Sequence, residues 1–365
     1  MHDGVRVGWF IPTAGDTTRL AEDPTEIPPG LEHFVEVART AEEAGFAYAL
    51  VPVQTACWDA YVTCSFVAAR TERLKLLLAA RPGFVAPTVM AKMLATFDQL
   101  SGGRVMVNLI AGGGAAEMEA DGLFLDHDDR YALMDEVVEV MKRVWTTRAP
   151  VDFEGRFVRV RGARVLPSPR QSPYPPFFLG GGSPAAQRVS VRHADVHLFW
   201  GDHPDHVAEQ AADLRRRAQQ AEARGERDPG RPLGFGMRLQ VIVRETEAEA
   251  WEAAHRLVAG ERASTRQRVR ALWEQSSIQA RQQQLADAED EGLLVEGHPH
   301  LWAGIGRVRP GAGVAVVGDP DQVAATLGEF VDAGCRDFCL SGYPHHREAR
   351  RVGELVLPRL GPLLS

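Results

Sequence analysis

Eight short apolar runs, each followed by a longer stretch of helical periodicity, constrain this chain more than any other feature. The runs are Arg6–Phe10, Tyr48–Pro52, Leu74–Ala80, Val105–Ile110, Phe177–Leu179, Val196–Phe199, Phe235–Arg244 and Asp337–Ser341. Leu74–Ala80 is almost continuously apolar, as a strand buried on both faces must be. Between the runs, Leu31–Ala44 places Phe34, Val35, Val37, Ala38 and Ala41 on one helical face and stops at Gly45. Further helices are predicted at about Ala60–Arg70, Pro87–Leu100, Arg130–Thr147, Pro184–Arg192, Val207–Arg224, from Thr246, at Val323–Ala333 and from Arg347. A βα series of this kind is an open sheet or a closed barrel. No GxGxxG follows the first strand and no acidic residue stands at dinucleotide spacing, which disfavours an open nicotinamide-binding sheet. Eight units therefore predict a (β/α)8 barrel of class α/β, in one domain spanning 1–365.

The rhythm breaks twice. Alternation through Phe157-Val158-Arg159-Val160-Arg161, among prolines, predicts a β-hairpin insertion over 151–173. Residues 261–309 are rich in Arg, Gln and Glu and poor in apolar periodicity. They predict a second insertion, partly helical and mobile, that forms a lid.

The net charge of −8 argues against nucleic acid or an anionic membrane surface, either of which needs a concentrated basic face. No apolar run approaches a bilayer span, and the opening MHDGVRVGWFIPT lacks the pattern of a secretory leader. Cys57, Cys64, Cys335 and Cys339 form neither a disulfide framework nor a zinc pattern, so reduced thiols and a cytoplasmic location are expected.

Chemistry in a barrel sits at the carboxyl ends of its strands. There the sequence offers Trp9, Thr13 and Ala14, then Cys57, then Arg81, then Asn108 with Gly112–Gly114. Gly180–Ser183, Trp200, Arg238 with Gln240, and Tyr343 follow. The set holds no carboxylate pair for glycoside hydrolysis and no Ser-His-Asp group. Gly180-Gly181-Gly182-Ser183 opens a helix, where it is either an anion cradle or a tight turn capped by Ser183. Arg238 and Gln240 stand at i and i+2, so both point to one side of their strand, either the barrel interior or the surface. An interior guanidinium needs an anionic partner. Cys57 is a packing thiol or a catalytic one, and Tyr343 a phenolic proton donor or a half-buried aromatic. His345 and His346 are adjacent, their side chains diverge, and no metal site is expected.

These residues, with the stretches WFIPTAGD, RPGFVAPTVMAKMLATFDQLSGGR, FLDHDDRY, PYPPFFLGGGSPAAQ, FWGDHP, LWAGIGRVRPGAGVAVVGD and LSGYPHHREARRVGELVLP, carry a family likeness. The chain resembles the bacterial-luciferase-like flavin monooxygenases, and among them the alkanesulfonate monooxygenases that use reduced FMN. The resemblance implies FMN supplied as FMNH2 by a separate NAD(P)H-dependent flavin reductase, and O2 as co-substrate. It further implies cleavage of a C–S bond to give an aldehyde and sulfite, and a homodimer or homotetramer. By the same likeness Asn108, Tyr131, Gly182 and Ser183 would hold the cofactor, with Tyr131 and the Gly182-Ser183 turn at its phosphate. Cys57 would lie near the flavin, Arg238 and Tyr343 would act on the substrate, and Arg309 would close over the sulfonate. Trp9, Ala14, Trp200 and Gln240 would line the substrate side.

Two positions depart from the family pattern. Ala14 and Gln240 stand where histidines are expected, which removes two imidazoles and widens the pocket at Ala14. The two retained arginines imply an anionic, oxygen-rich substrate. The alternative substrate is a bulkier anionic metabolite oxygenated without C–S cleavage.

Overall fold

The structure is a computed structural model and describes residues 4–271, 276–288 and 293–361. β1 (Arg6–Phe10), β2 (Tyr48–Val51), β3 (Lys75–Ala80) and β4 (Val105–Leu109) alternate with α1 (Leu31–Glu43), α2 (Ala60–Ala68) and α3 (Pro87–Leu100). After β4 come the short α4 (Ala115–Ala120) and the long α5 (His127–Thr146), then the hairpin of β5 (Val151–Glu154) and β6 (Arg159–Ala163). β7 (Phe177–Gly180), α6 (Pro184–His193), β8 (Val196–Trp200), α7 (Pro204–Ala223), β9 (Gly234–Val243) and α8 (Glu247–Val258) restore the alternation. α9 (Ala263–Ala271), α10 (Ser277–Asp287) and β10 (Leu301–Trp302) follow. The chain then runs through β11 (Ala315–Gly318), α11 (Pro320–Asp332), β12 (Cys335–Ser341), α12 (His345–Leu355) and α13 (Leu357–Leu360).

Eight of these strands close a ring in the order β9-β12-β1-β2-β3-β4-β7-β8 and back to β9, every pair parallel. This is the (β/α)8 barrel expected from the alternation. Tyr48, Leu50, Leu77, Met106, Phe178, Val196 and Cys339 pack inside it with Phe10. Gly8 makes room there, because a Cβ on it would meet the Tyr48 ring at 2.3 Å. Alternate residues of the same strands face outward, where Trp9, Leu76, Val107, Phe177 and Phe235 pack beneath the helices.

β9 is longer than the wall it belongs to. Gly234–Arg238 pair with β8, whereas Gln240–Val243 pair in parallel with β11 along the same edge, and β10 adds antiparallel to β11. Neither β10 nor β11 was anticipated from the sequence. Both are very short, and β11 merges into a glycine-rich stretch without a period of its own.

α1, α2, α3 and α6 begin at the residues the sequence predicts, whereas three helices start about one turn earlier than expected. α5, α7 and α11 begin at His127, Pro204 and Pro320, where Asp126, His203 and Asp319 accept backbone N–H bonds as caps. The apolar periodicity marks only where each helix first touches the core, and the polar first turn lies upstream of it. α12 likewise begins at His345.

Candidate active site

A cavity of about 480 Å³ opens at the carboxyl ends of the barrel strands. One arc of its wall carries Thr13 and Ala14 after β1, Cys57 after β2, Arg238 on β9, and Tyr343 and His345 after β12. The other carries Arg81 after β3, Asn108 on β4, Tyr131 on α5, Gly180 and Gly181 at the end of β7, and Trp200 on β8. Ser276, Ile278 and Arg309–Ala312 close one side. The predicted insertion thus supplies part of the wall.

Arg238 is the buried cation of the site. Its Nη1 donates to the carbonyls of Leu239 at 2.9 Å and Cys339 at 3.2 Å, and its Nη2 donates to Ser341 Oγ at 2.9 Å. The guanidinium also lies 4.8 Å from the Phe10 ring centroid. Burial weakens its charged form, and the Arg309 charge adds repulsion. None of these hydrogen bonds brings a carboxylate to it. Arg309 donates through Nη1 to the Tyr343 hydroxyl and through Nε to the carbonyl of Pro310. Arg81 differs, since its Nη2 lies 2.7 Å from Glu117 and its Nη1 3.1 Å from Asp121, which satisfies its charge. Burial raises the Cys57 thiol above its usual range, which keeps the sulfur protonated.

At the other arc Gly181 adopts φ +133°, and a Cβ there would lie 2.7 Å from Ala186 and 3.0 Å from the Tyr131 hydroxyl. Only glycine fits that close approach. Burial pushes the Tyr131 phenol up to about 12, so it remains a hydrogen-bond donor. Ser183 caps α6 by accepting from the Ala186 N–H at 3.2 Å.

Several sequence candidates fall outside the cavity wall. Trp9 faces the helical layer, where it packs 5.0 Å from Phe46, and Phe10 takes the interior position beside it. One residue along a strand reverses the face, which accounts for the difference. Gly182 and Ser183 sit just behind Gly180 and Gly181, with Gly182 close to Ser277 of α10. Gln240 is fully buried behind Arg238 and bonds to Ser341 and to the carbonyl of Ala312. The remaining candidates, Ala14, Cys57, Asn108, Tyr131, Trp200, Arg238, Arg309 and Tyr343, border the cavity together.

The sequence reading missed His345 and Asp16. His345 borders the cavity while His346 turns toward His33, so the two imidazoles diverge. Asp16 is fully buried and accepts from the His345 N–H at 2.7 Å and from the Thr17 N–H at 2.9 Å. It also pairs with His345 Nδ1 at 2.8 Å and His33 Nε2 at 3.1 Å. Burial penalises its charge, but the His345 imidazole and these hydrogen bonds hold its carboxyl far below the usual range. Burial lowers the pKa of His345 despite Asp16, which leaves a neutral ring with Nδ1–H toward the carboxylate. Its Nε2 has no protein partner. The spacing of Tyr343 and His345, two residues apart at the turn into α12, was the available signal.

The model of the luciferase-like monooxygenase family matches residues 5–337. Among solved structures, DmoA from Hyphomicrobium sulfonivorans superposes with a TM-score of 0.79 at 19% identity, over 99% of this chain and 88% of that one. EDTA monooxygenase from Chelativorans sp. BNC1 gives 0.77 at 18% identity, over 98% and 94%. A coenzyme F420-dependent tetrahydromethanopterin reductase from Methanopyrus kandleri gives 0.67 at 19% identity, over 98% and 99%. At these identities the likeness establishes the fold, and the family match establishes descent: this chain belongs to the luciferase-like monooxygenase family.

Proposed function

We propose that the chain is an FMN-dependent, two-component monooxygenase that desulfonates an organosulfonate. The observation that carries this reading is the pair Arg238 and Arg309 on one cavity, with Arg238 buried on carbonyl and hydroxyl oxygens alone. A tetrahedral oxyanion presents oxygens in the forked arrangement that two guanidiniums bind, and it supplies the charge that Arg238 lacks.

The flavin arc fits the cofactor chemistry. The narrow Gly180-Gly181 turn beside the Tyr131 hydroxyl leaves backbone N–H groups accessible to a phosphate, and the α6 N-terminus favours negative charge there. Asn108 stands below on β4, among Ala79, Leu109 and Leu198, a surface suited to a flat ring. Reduced flavin, delivered by a separate NAD(P)H-dependent reductase, would supply two electrons for the activation of O2. In the net reaction one oxygen atom becomes the aldehyde oxygen and the other leaves as water. The C–S bond breaks, and its electron pair departs with sulfite. Arg238 and Arg309 hold the sulfonate, and Tyr343 orients Arg309. Cys57, as a neutral thiol, would face the cofactor, and the wall formed by Ser276, Ile278 and Arg309–Ala312 would exclude water.

Ala14 and the withdrawn Gln240 favour a second substrate, a bulkier anionic metabolite oxygenated without C–S cleavage. A screen of sulfonates with reduced FMN, a flavin reductase and O2 separates the two. Sulfite release that tracks oxygen uptake supports desulfonation. Oxygen uptake stimulated by another anion, with no sulfite from any sulfonate, selects the second reading.

A further inference from the structure

Gln240 does not border the cavity, yet it links the two arginines that do. The polarity of its hydrogen bonds follows from Arg238. A guanidinium can only donate, so Ser341 Oγ accepts from Arg238 Nη2 at 2.9 Å and has one proton left to give. That proton goes to Gln240 Oε1 at 2.6 Å, which directs the other end of the amide, Nε2, to the carbonyl of Ala312 at 3.2 Å. Ala312 lies three residues beyond Arg309, in the segment Pro310-Gly311-Ala312 that walls the cavity. The same segment is held from its other side by two glutamines of α10. Gly311 N–H donates to Gln279 Oε1 at 2.8 Å, and Gly313 N–H donates to Gln282 Oε1 at 2.9 Å. Gln282 Nε2 then donates to the carbonyl of Gly201 at 2.8 Å, whose own N–H bonds the carbonyl of Arg238. Gln240, Gln279, Gln282 and Ser341 are all at most 2% exposed.

We propose that Gln240 is a positioning residue that latches the Arg309-bearing segment to the Arg238 strand, so that the two guanidiniums form one anion-binding unit. This rests on the assignment of Arg238 and Arg309 to the substrate anion. A primary amide meets the requirement because it must accept from Ser341 and donate to Ala312 at once. A carboxylate would accept from Ser341 but face the Ala312 carbonyl without a proton. An apolar side chain would leave both Ser341 and Ala312 unsatisfied. The relay runs in one direction, from the charged end to the segment, and an alteration at residue 240 is felt at both arginines.

The test is a double-mutant cycle on sulfate binding, measured by calorimetry on the full chain, with FMNH2 affinity as the folding control. Gln240→Leu and Arg309→Ala are each expected to weaken sulfate binding by ~10-fold. The double variant is expected to fall by ~10-fold as well, since an unlatched Arg309 has little left to lose. Gln240→Glu, which keeps side-chain volume and the acceptor, is expected to behave like Gln240→Leu and serves if the leucine variant does not fold. Amide exchange at Gly311 and Gly313 should accelerate in both Gln240 variants without any ligand. A double variant weakened by ~100-fold, or unchanged exchange at the two glycines, overturns the latch, as does wild-type protein that binds no sulfate. A failure of the sulfonate reading shows separately, as no sulfite from any sulfonate while coupling and exchange behave as stated.

Discussion

At the scale of single residues, the two arginines and Asp16 have distinct consequences. Arg309 is partly buried, borders the cavity and is absent from the glycine arc. Arg309→Ala should therefore lower kcat/KM by on the order of 100-fold, about 2.7 kcal/mol of transition-state binding, with FMN affinity nearly intact. A steady-state assay paired with a flavin titration measures both, and a normal rate excludes the anion role. Asp16→Asn removes a buried charge that receives two backbone N–H bonds and faces two imidazoles. It should cost on the order of 3 kcal/mol in denaturant unfolding. Most cavity residues were legible as strand-end positions, because a barrel places its site there. Asp16 was not: barrel closure brings the first loop beside the last strand's exit, but no spacing in the sequence says that Asp16 meets His33 and the distant His345 there. Trp9 was misplaced for a related reason. Alternation shows that Trp9 and Phe10 face opposite sides, but in a strand buried on both faces it does not say which side is inner.

At the scale of elements, the described residues between 261 and 309 are tied to the barrel and to one another by several side chains. Arg281 on α10 pairs with both oxygens of Asp202, at 2.7 and 2.8 Å, and with Glu296 at 2.6 Å. Arg307 donates to the carbonyl of Ala286 at 2.8 Å. This density of polar anchors, set among buried apolar residues too scattered to form a helical period (Val269, Leu285, Val295, Leu301, Ile305 and Val308), explains why hydrophobic periodicity could not describe the segment. It also suits a wall that opens, since polar ties exchange for water at little net cost. Arg281→Ala should remove ~1 kcal/mol of anchoring and raise the rate of limited proteolysis within 262–288 several-fold. In turnover the same variant should release more hydrogen peroxide per NAD(P)H consumed, because a looser wall admits water. Unchanged cleavage would show that α10 is held by other contacts. β11 escaped the sequence reading although Val314–Val317 is as long an apolar run as Val196–Phe199, because a ninth strand has no place in an eight-unit alternation. Its pairing with β9 is a tertiary fact.

At the scale of the whole molecule, the barrel leaves one apolar face outside. Val62 and Phe66 on α2, and Val89, Met93 and Leu100 on α3, are 59, 49, 50, 37 and 85% exposed. All but Phe66 line a groove whose only charged lining residue is Lys92. We propose that a second copy of the chain covers this face, since a surface so poor in charge can meet its own image without repulsion. Leu100→Asp should shift the protein to smaller assemblies on a sizing column while FMN affinity holds, and an unchanged elution volume would reject the interface. Among the described residues no helix is long and apolar enough to cross a membrane. The overhang of β9 has a further consequence at this scale. Pairing of β9 with β8 ends at Arg238, and the chain that closes the cavity from the far side re-enters through a strand laid against the surplus length of β9. Among the described residues the backbone pairing between the barrel and its cover is therefore a seam of four residue pairs, Gln240 with Ala315 to Val243 with Gly318, beside the side-chain ties of Arg281 and the glutamines. Segments of other lengths could be spliced between α8 and β11 without altering the register of any ring strand, which makes substrate range the property of this scaffold most open to exchange.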